Sequence, residues 1–371
     1  MTATSLDLYP VTRLAALREA TAAAGIGALL LTPGPDLRYV TGYEALPLER
    51  LTCLVVPAAG EAFMVVPRLE LPAAEHSPAA RLGVEFVPWD ETDDPYALVA
   101  RRIGPVADVG LADRMWAMQS LRFRDVLPEA RQLLAGSVLR DLRMTKSPAE
   151  VDALREAGAA IDAVHALVPG LLKAGRTERE VGRDIAEAIV AAGHETVDFV
   201  IVASGPNGAS PHHELSQRVI QAGDPVVVDI GGRMPSGYCS DSTRTYSVGE
   251  PPADFAAYYE ILRRAQDAAC AAVRPGVSCE SVDAAAREVI TEAGYGEYFI
   301  HRTGHGIGLE THEEPYIVAG NTEPLVPGHA FSVEPGVYLP GRHGARIEDI
   351  VVCTPSGAER LNVRPRELVV V

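Results

Sequence analysis

Short apolar runs and helix-period stretches alternate along the first part of the chain. Ala28 to Leu31, Thr52 to Pro57, Ala62 to Val66 and Val84 to Val87 read as strands, and Thr12 to Ala24 reads as a helix stopped by Gly25. That alternation predicts an α/β domain built on a mixed sheet. Beyond Met144 the pattern changes to helices with visible starts. Ser147-Pro148-Ala149-Glu150 combines a cap, a proline at the first helical position and a capping-box glutamate. Thr177 with Glu180 repeats the box ahead of a helix that should end at Gly193, and a third helix is expected from near Ser278 to just before Gly294. Val151, Leu154, Ile161 and Val164 on the first of these, and Val282, Ala285, Val289 and Ile290 on the third, recur at helical spacing, which makes them core faces. Between the helices, Val226 to Asp229 reads as an apolar strand. Gly231, Gly232, Pro235, Ser236 and Gly237 then supply turn residues before a second strand from Tyr238 to Val248. The chain therefore divides into domains of residues 1–140 and 141–371.

Five possible metal ligands lie in the last third, each in a short strand-like stretch: Asp229 in VVVDIGG, Asp241 in SDSTRT, His305 in GHGIGLE, Glu334 in SVEPGVY and Glu348 in RIEDIV. An isolated acidic residue near a strand end is ordinarily a solvated surface charge. Five in five such settings point to convergence. Strand alternation puts Asp241, Thr243 and Thr245 on one face, with Ser332, Glu334 and Gly336 sharing a face and Arg346, Glu348 and Ile350 another. The hairpin is expected to set Asp229 against Asp241. Buried together without cations, these carboxylates would cost several kcal/mol per unpaired ion. Two divalent cations would balance the charge. Oxygen-dominated coordination with one nitrogen suits Mn(II), Co(II) or Zn(II), and five donors exceed what a single tetrahedral zinc takes.

Composition narrows the function classes. A chain of 371 residues accommodates two domains, each with its own core. With 33 basic and 50 acidic residues the formal net charge is −17, and no basic run forms a nucleic-acid footprint. The first residues lack the basic start and apolar core of a signal peptide, and no stretch is apolar for long enough to span a membrane, so a cytoplasmic protein is expected. Cys53, Cys239, Cys270, Cys279 and Cys353 include no CxxC pair and read as small buried residues, not as disulfides or a thiolate zinc site.

The ordered motifs DIGG, SDSTRT, GHGIGLETHEEP, VEPGVY and RIED resemble those of the pita-bread metallopeptidases, a family that includes methionine aminopeptidase, Xaa-Pro aminopeptidase and prolidase. The likeness spans roughly residues 145–371. LTPGPDLRYVTGY and RMTKSPAEVDALREA are similar to the amino-terminal domain and junction of the proline-specific branch. The resemblance implies a creatinase/prolidase-type α/β domain followed by a pita-bread catalytic domain, a bent antiparallel sheet with helices outside. It implies a metal-dependent hydrolase that removes a residue preceding proline, with a metal-bridging hydroxide attacking the scissile carbonyl. Asp229 is then expected to chelate one metal, Asp241 and Glu348 to bridge both, and His305 and Glu334 to complete the other, with Glu334 also the general base. Manganese is the expected metal, a proline-containing peptide the substrate and a homodimer the assembly. Two other outcomes are a non-catalytic pita-bread interaction module, which the full ligand set disfavours, and a creatinase-like amidinohydrolase.

Four further residues follow from the same likeness. His212, in SGPNGASPHHELS, matches a non-ligand histidine that stabilises the tetrahedral intermediate, with His213 the alternative if the alignment slips by one. His312 and His301 flank His305 at the offsets of accessory histidines, the first near the substrate carbonyl and the second lining the pocket. Arg346 shares a face with Glu348 and is expected either to pair with a ligand carboxylate or to hold a substrate carboxylate.

Overall fold

The computed structural model describes residues 8–371. These fall into two units, the first ending at Arg143 and the second running Met144–Val371. In the first unit the elements run α1 (Val11–Ala23), β1 (Ala28–Leu31), α2 (Pro35–Thr41), β2 (Cys53–Pro57), β3 (Phe63–Pro67), α3 (Leu71–His76), β4 (Glu85–Trp89), α4 (Pro95–Ile103), β5 (Asp108–Leu111), α5 (Ala117–Val126), β6 (Arg131–Leu134) and α6 (Gly136–Met144). The sheet order is β4-β3-β2-β1-β5-β6, with β1 antiparallel to β2 and parallel to β5, so the sheet is mixed as the alternation predicts. Leu30, Cys53, Val55, Val65, Val99, Val109 and Phe123 fill its core.

The second unit opens on α7 (Pro148–Leu171) and α8 (Glu178–Ala191), and both predicted capping boxes form, at Ser147 with Glu150 and at Thr177 with Glu180. The strands β7 (Thr196–Ser204), β8 (Asp224–Arg233) and β9 (Cys239–Val248) follow. Val164, Val168, Val181, Ile185 and Ile189 from the two helices pack on Val226, Val228 and Ile230 of β8. The pattern then repeats. Helices α9 (Ala253–Ala272) and α10 (Cys279–Glu292) cover β10 (Gly304–Gly306), β11 (Glu313–Ile317), β12 (Ala330–Val333), β13 (Gly336–Leu339), β14 (His343–Arg346), β15 (Asp349–Thr354) and β16 (Gly357–Arg360), with Tyr258, Leu262, Val282, Ile290, Phe331 and Val351 in their core. Val282 and Ile290 are buried as expected, whereas Ala285 and Val289 are half-buried and Ala286 takes the inward position.

One sheet runs β17-β9-β8-β7, where β17 is Val369–Val370, a second runs β11-β10-β12-β15-β16, and β13 pairs with β14 as a two-stranded ribbon. The two larger sheets meet where Thr243 of β9 bridges Glu348, just ahead of β15. Behind that junction the buried Arg244 donates to the Glu348 carbonyl and pairs with Asp349 at 2.6 Å. The helices lie outside a sheet bent across this seam, the pita-bread arrangement. All five cysteines are buried and free, and among the described residues no helix is long and apolar enough to cross a membrane.

Candidate metal centre

The β8–β9 hairpin carries the two aspartates, with a register set by the closing pair Arg233 and Cys239. Asp229 faces Thr243 and Asp241 faces Gly231, so the carboxylates lie diagonally on one face, two residues short of the direct opposition expected. Gly231 makes room for this, since a Cβ there would sit 2.6 Å from the Ser240 carbonyl and 2.5 Å from the Phe199 ring.

The other three donors come from across the seam. His305 is the middle residue of β10; its amide donates to Ser332 Oγ at 3.0 Å, and its Nδ1 donates to the Gly306 carbonyl at 3.1 Å. That bond leaves Nε2 aimed inward, 3.2 Å from Glu334 Oε1 and 3.6 Å from Asp241 Oδ2. Glu334 and Glu348 lie at breaks between strands, not inside them as expected. Glu334 donates its amide to the Thr303 carbonyl and accepts from Ser332 Oγ at 3.1 Å. Glu348 accepts from Thr243 Oγ1 at 2.8 Å. Ligand atoms of Asp229, Asp241 and Glu348 lie within 4.8 Å of one another, as do those of His305, Glu334 and Glu348, so Glu348 belongs to both groups. Asp241 also groups with His305 and His312 within 4.8 Å.

The electrostatics match a cation-binding cluster. Asp229 Oδ1 and Glu348 Oε1 are buried and accept no hydrogen bond. Burial, then the charges of Glu348 and Asp229, push the Asp241 carboxyl well above its ordinary range, and burial with Glu334 and Asp229 does the same to Glu348. Burial also works against ionised Glu334, but the His305 hydrogen bond and charge outweigh it and bring the carboxyl down to about 2. Two carboxyls that resist ionisation and two orphaned carboxylate oxygens in one buried cluster call for bound positive charge.

Arg346 supplies some. Its Nη2 lies 2.5 Å from Asp229 Oδ2, its Nη1 donates to the Tyr338 hydroxyl at 2.6 Å and its Nε to Thr243 Oγ1 at 3.2 Å. Of the two expected roles, the geometry shows the pairing with a ligand carboxylate. Tyr338, whose oxygen accepts from Arg346, donates in turn to His301 Nε2 at 2.9 Å, while His301 Nδ1 donates to the Arg302 carbonyl at 2.7 Å. Both His301 nitrogens are thus engaged, and its ring forms a wall of the cavity. Sequence reasoning placed Thr243 and Ser332 on the donor faces but passed over Tyr338, which ends the quoted VEPGVY motif, the available signal.

These groups floor a cavity of about 1250 Å³ whose walls include Phe199, Ile201, Leu215 and Ile300. His212 and His312 line it. Partial desolvation, then the neighbouring His305, hold the His312 imidazole down at about 4, and the two rings stand 4.0 Å apart. His213 turns partly away: its Nε2 donates at 2.8 Å to Glu178, a fully buried carboxylate at the start of α8 that also accepts from Ser204, Asn207 and Ser216. His212 and His213 both line the cavity, with His213 tied to Glu178 and His212 more exposed.

Two family models match the chain: metallopeptidase family M24 over residues 152–355 and the creatinase/prolidase N-terminal domain over residues 13–145. It is 59% identical over 361 residues to a probable dipeptidase PepE of Mycobacterium tuberculosis, covering 97% of this chain and 96% of that one. It is 35% identical over 352 residues to an Xaa-Pro dipeptidase of Lactobacillus helveticus, covering 90% and 92% of the two chains. A solved prolidase from Thermococcus sibiricus superimposes with a TM-score of 0.90 at 37% identity, over 97% of this chain and 98% of that one.

Proposed function

The chain belongs to metallopeptidase family M24, and we propose that it is a two-metal Xaa-Pro dipeptidase. The observation that carries this reading is the convergence of five donors with two buried, unbonded carboxylate oxygens among them. Asp229, Asp241 and Glu348 would hold one cation, and Asp241, Glu348, His305 and Glu334 the other. Bound there, two divalent cations supply the positive charge that activates water and polarises a peptide carbonyl. The oxygen-rich set favours Mn(II).

The side chains then divide the work. Glu334, held by Ser332 beside His305, accepts the proton of the attacking water. His212, open to the cavity, donates a hydrogen bond to the oxygen that becomes negative as the carbonyl turns tetrahedral. His312, neutral above pH of about 4, stands beside His305 where it contacts the substrate carbonyl region. Arg346 pairs with Asp229 and holds it aimed, and the apolar wall of Phe199, Ile201 and Leu215 takes the body of the substrate. Support for proline at the second position comes from the Xaa-Pro dipeptidase and prolidase relatives.

Chelation is expected to abolish release of proline from alanyl-proline, and Mn(II) to restore it. Hydrolysis that survives chelation would overturn the two-metal reading. No hydrolysis of any Xaa-Pro substrate at full metal loading would favour the interaction module, and turnover of creatine the amidinohydrolase. A second expectation separates the neighbouring histidines. His212→Ala should lower kcat by about 10²-fold or more with metal content unchanged. His213→Ala should instead lower the unfolding midpoint, because it removes a donor from the buried Glu178 carboxylate. Equal kinetic losses in both variants would contradict this assignment.

A further inference from the structure

We propose that Glu178, a buried carboxylate that does not itself line the catalytic cavity, is the positioning residue that holds His212 in its working place. This rests on the reading of His212 given above and names the group through which the fold aims that histidine.

Residues 210–215 form one wall of the cavity, and His212 is exposed on it. Among the described residues the His212 ring makes no hydrogen bond, so its direction is set by its two neighbours in the chain. On one side the Pro211 carbonyl accepts from Arg346 Nη2 at 3.3 Å, and the same guanidinium is paired with Asp229. On the other side His213 Nε2 donates to Glu178 Oε2 at 2.8 Å. His212 thus hangs between a tether to a candidate metal ligand and a tether to the first residue of α8.

The second tether is built as a rigid node. Glu178 Oε1 accepts from the Ser204 amide at 2.8 Å and from Ser204 Oγ at 2.7 Å, Oε2 accepts from Ser216 Oγ as well as from His213, and Asn207 Nδ2 lies 3.0 and 3.1 Å from the two oxygens. Ser204 closes β7 and Ser216 lies past the histidines, so one carboxylate gathers both ends of the loop that carries His212. Burial works against its charged form, yet the bonds from Ser216, Ser204 and His213 outweigh that and hold the carboxyl below its ordinary range. Displacing any member leaves a buried charge under-solvated. The backbone of α8 grips the same loop, since the Arg179 amide donates to the Ser216 carbonyl at 3.1 Å. One turn further on, Gly182 leaves room for Leu215, whose Cδ2 would lie 2.5 Å from a Cβ there.

His212 is assigned to charge that develops only as the carbonyl turns tetrahedral, so a displaced ring costs kcat and spares KM. A carboxylate that served stability alone would lower the unfolding midpoint and leave the kcat of the folded enzyme untouched.

The test is a double-mutant cycle on alanyl-proline at saturating Mn(II). Glu178→Gln turns an amide NH2 towards donors that the carboxylate accepts from, and is expected to lower kcat about 10-fold with KM and metal content unchanged. In a His212→Ala background the same substitution should change kcat by less than about twofold. Equal fold losses in both backgrounds, or a wild-type kcat in Glu178→Gln, would overturn the proposal. If Glu178→Gln does not fold, His213→Ala takes its place in the cycle, with a smaller loss that must likewise vanish without His212. If His212→Ala keeps full activity, or no peptide is cut at all, the reading of His212 falls and hydrogen exchange decides the tether. Faster exchange across residues 205–216 in Glu178→Gln, with the rest of α8 unchanged, would sustain it, and an unaltered loop would refute it.

Discussion

Glu334→Gln is expected to yield a folded protein whose kcat on alanyl-proline falls by about 10³-fold. The amide keeps the shape of the carboxylate and can still accept from Ser332 Oγ, so local packing is conserved. What disappears is the negative charge facing His305 and the capacity to take a proton from water. One substitution would thus remove the proposed base and weaken the proposed ligand together. Measuring kcat and bound metal at saturating Mn(II) resolves the two: a loss of kcat at full metal content isolates the proton-transfer role, and an unaltered kcat at full metal content would remove Glu334 from the chemistry.

Arg346→Met is expected to destabilise the metal-free protein by about 3 kcal/mol, read from urea unfolding. The guanidinium is 2% exposed and spans Asp229, Tyr338 and Thr243. Its removal leaves the Asp229 carboxylate without its counter-charge beside three other acidic groups. Breaking one member of a buried pair costs far more than the pair contributes over a well-packed apolar replacement. Saturating Mn(II) should restore part of the loss, because ligand bound only to the folded state stabilises it by mass action. A change below about 1 kcal/mol in the metal-free protein would show that Arg346 is free for another partner.

Local signals were readable in the chain and distant ones were not. The capping boxes at Ser147 and Thr177 and the cap at Ser278 mark helix starts because the partner groups lie within one turn. The helix Ala253–Ala272 went unmarked: Pro252 at its start makes no side-chain cap. Strand alternation placed Asp241, Thr243 and Thr245 on one face, which the contacts of Thr243 with Glu348 and of Thr245 with the Arg346 carbonyl reproduce. The offset between Asp229 and Asp241 escaped because pairing is counted from the closing residues Arg233 and Cys239, and turn composition alone does not reveal which residues close. His212 and His213 read alike in the chain because Glu178, the partner of His213, lies 35 residues away. Arg346 likewise depended on finding Asp229, 117 residues away, within reach of its fork.

The bent sheet divides the donors unequally, with Asp229 and Asp241 ahead of the seam and His305, Glu334 and Glu348 beyond it. The hairpin by itself offers only two of the five donors, too poor a set to hold a cation against water. A cation held by all five would therefore staple early-made and late-made segments without any covalent crosslink.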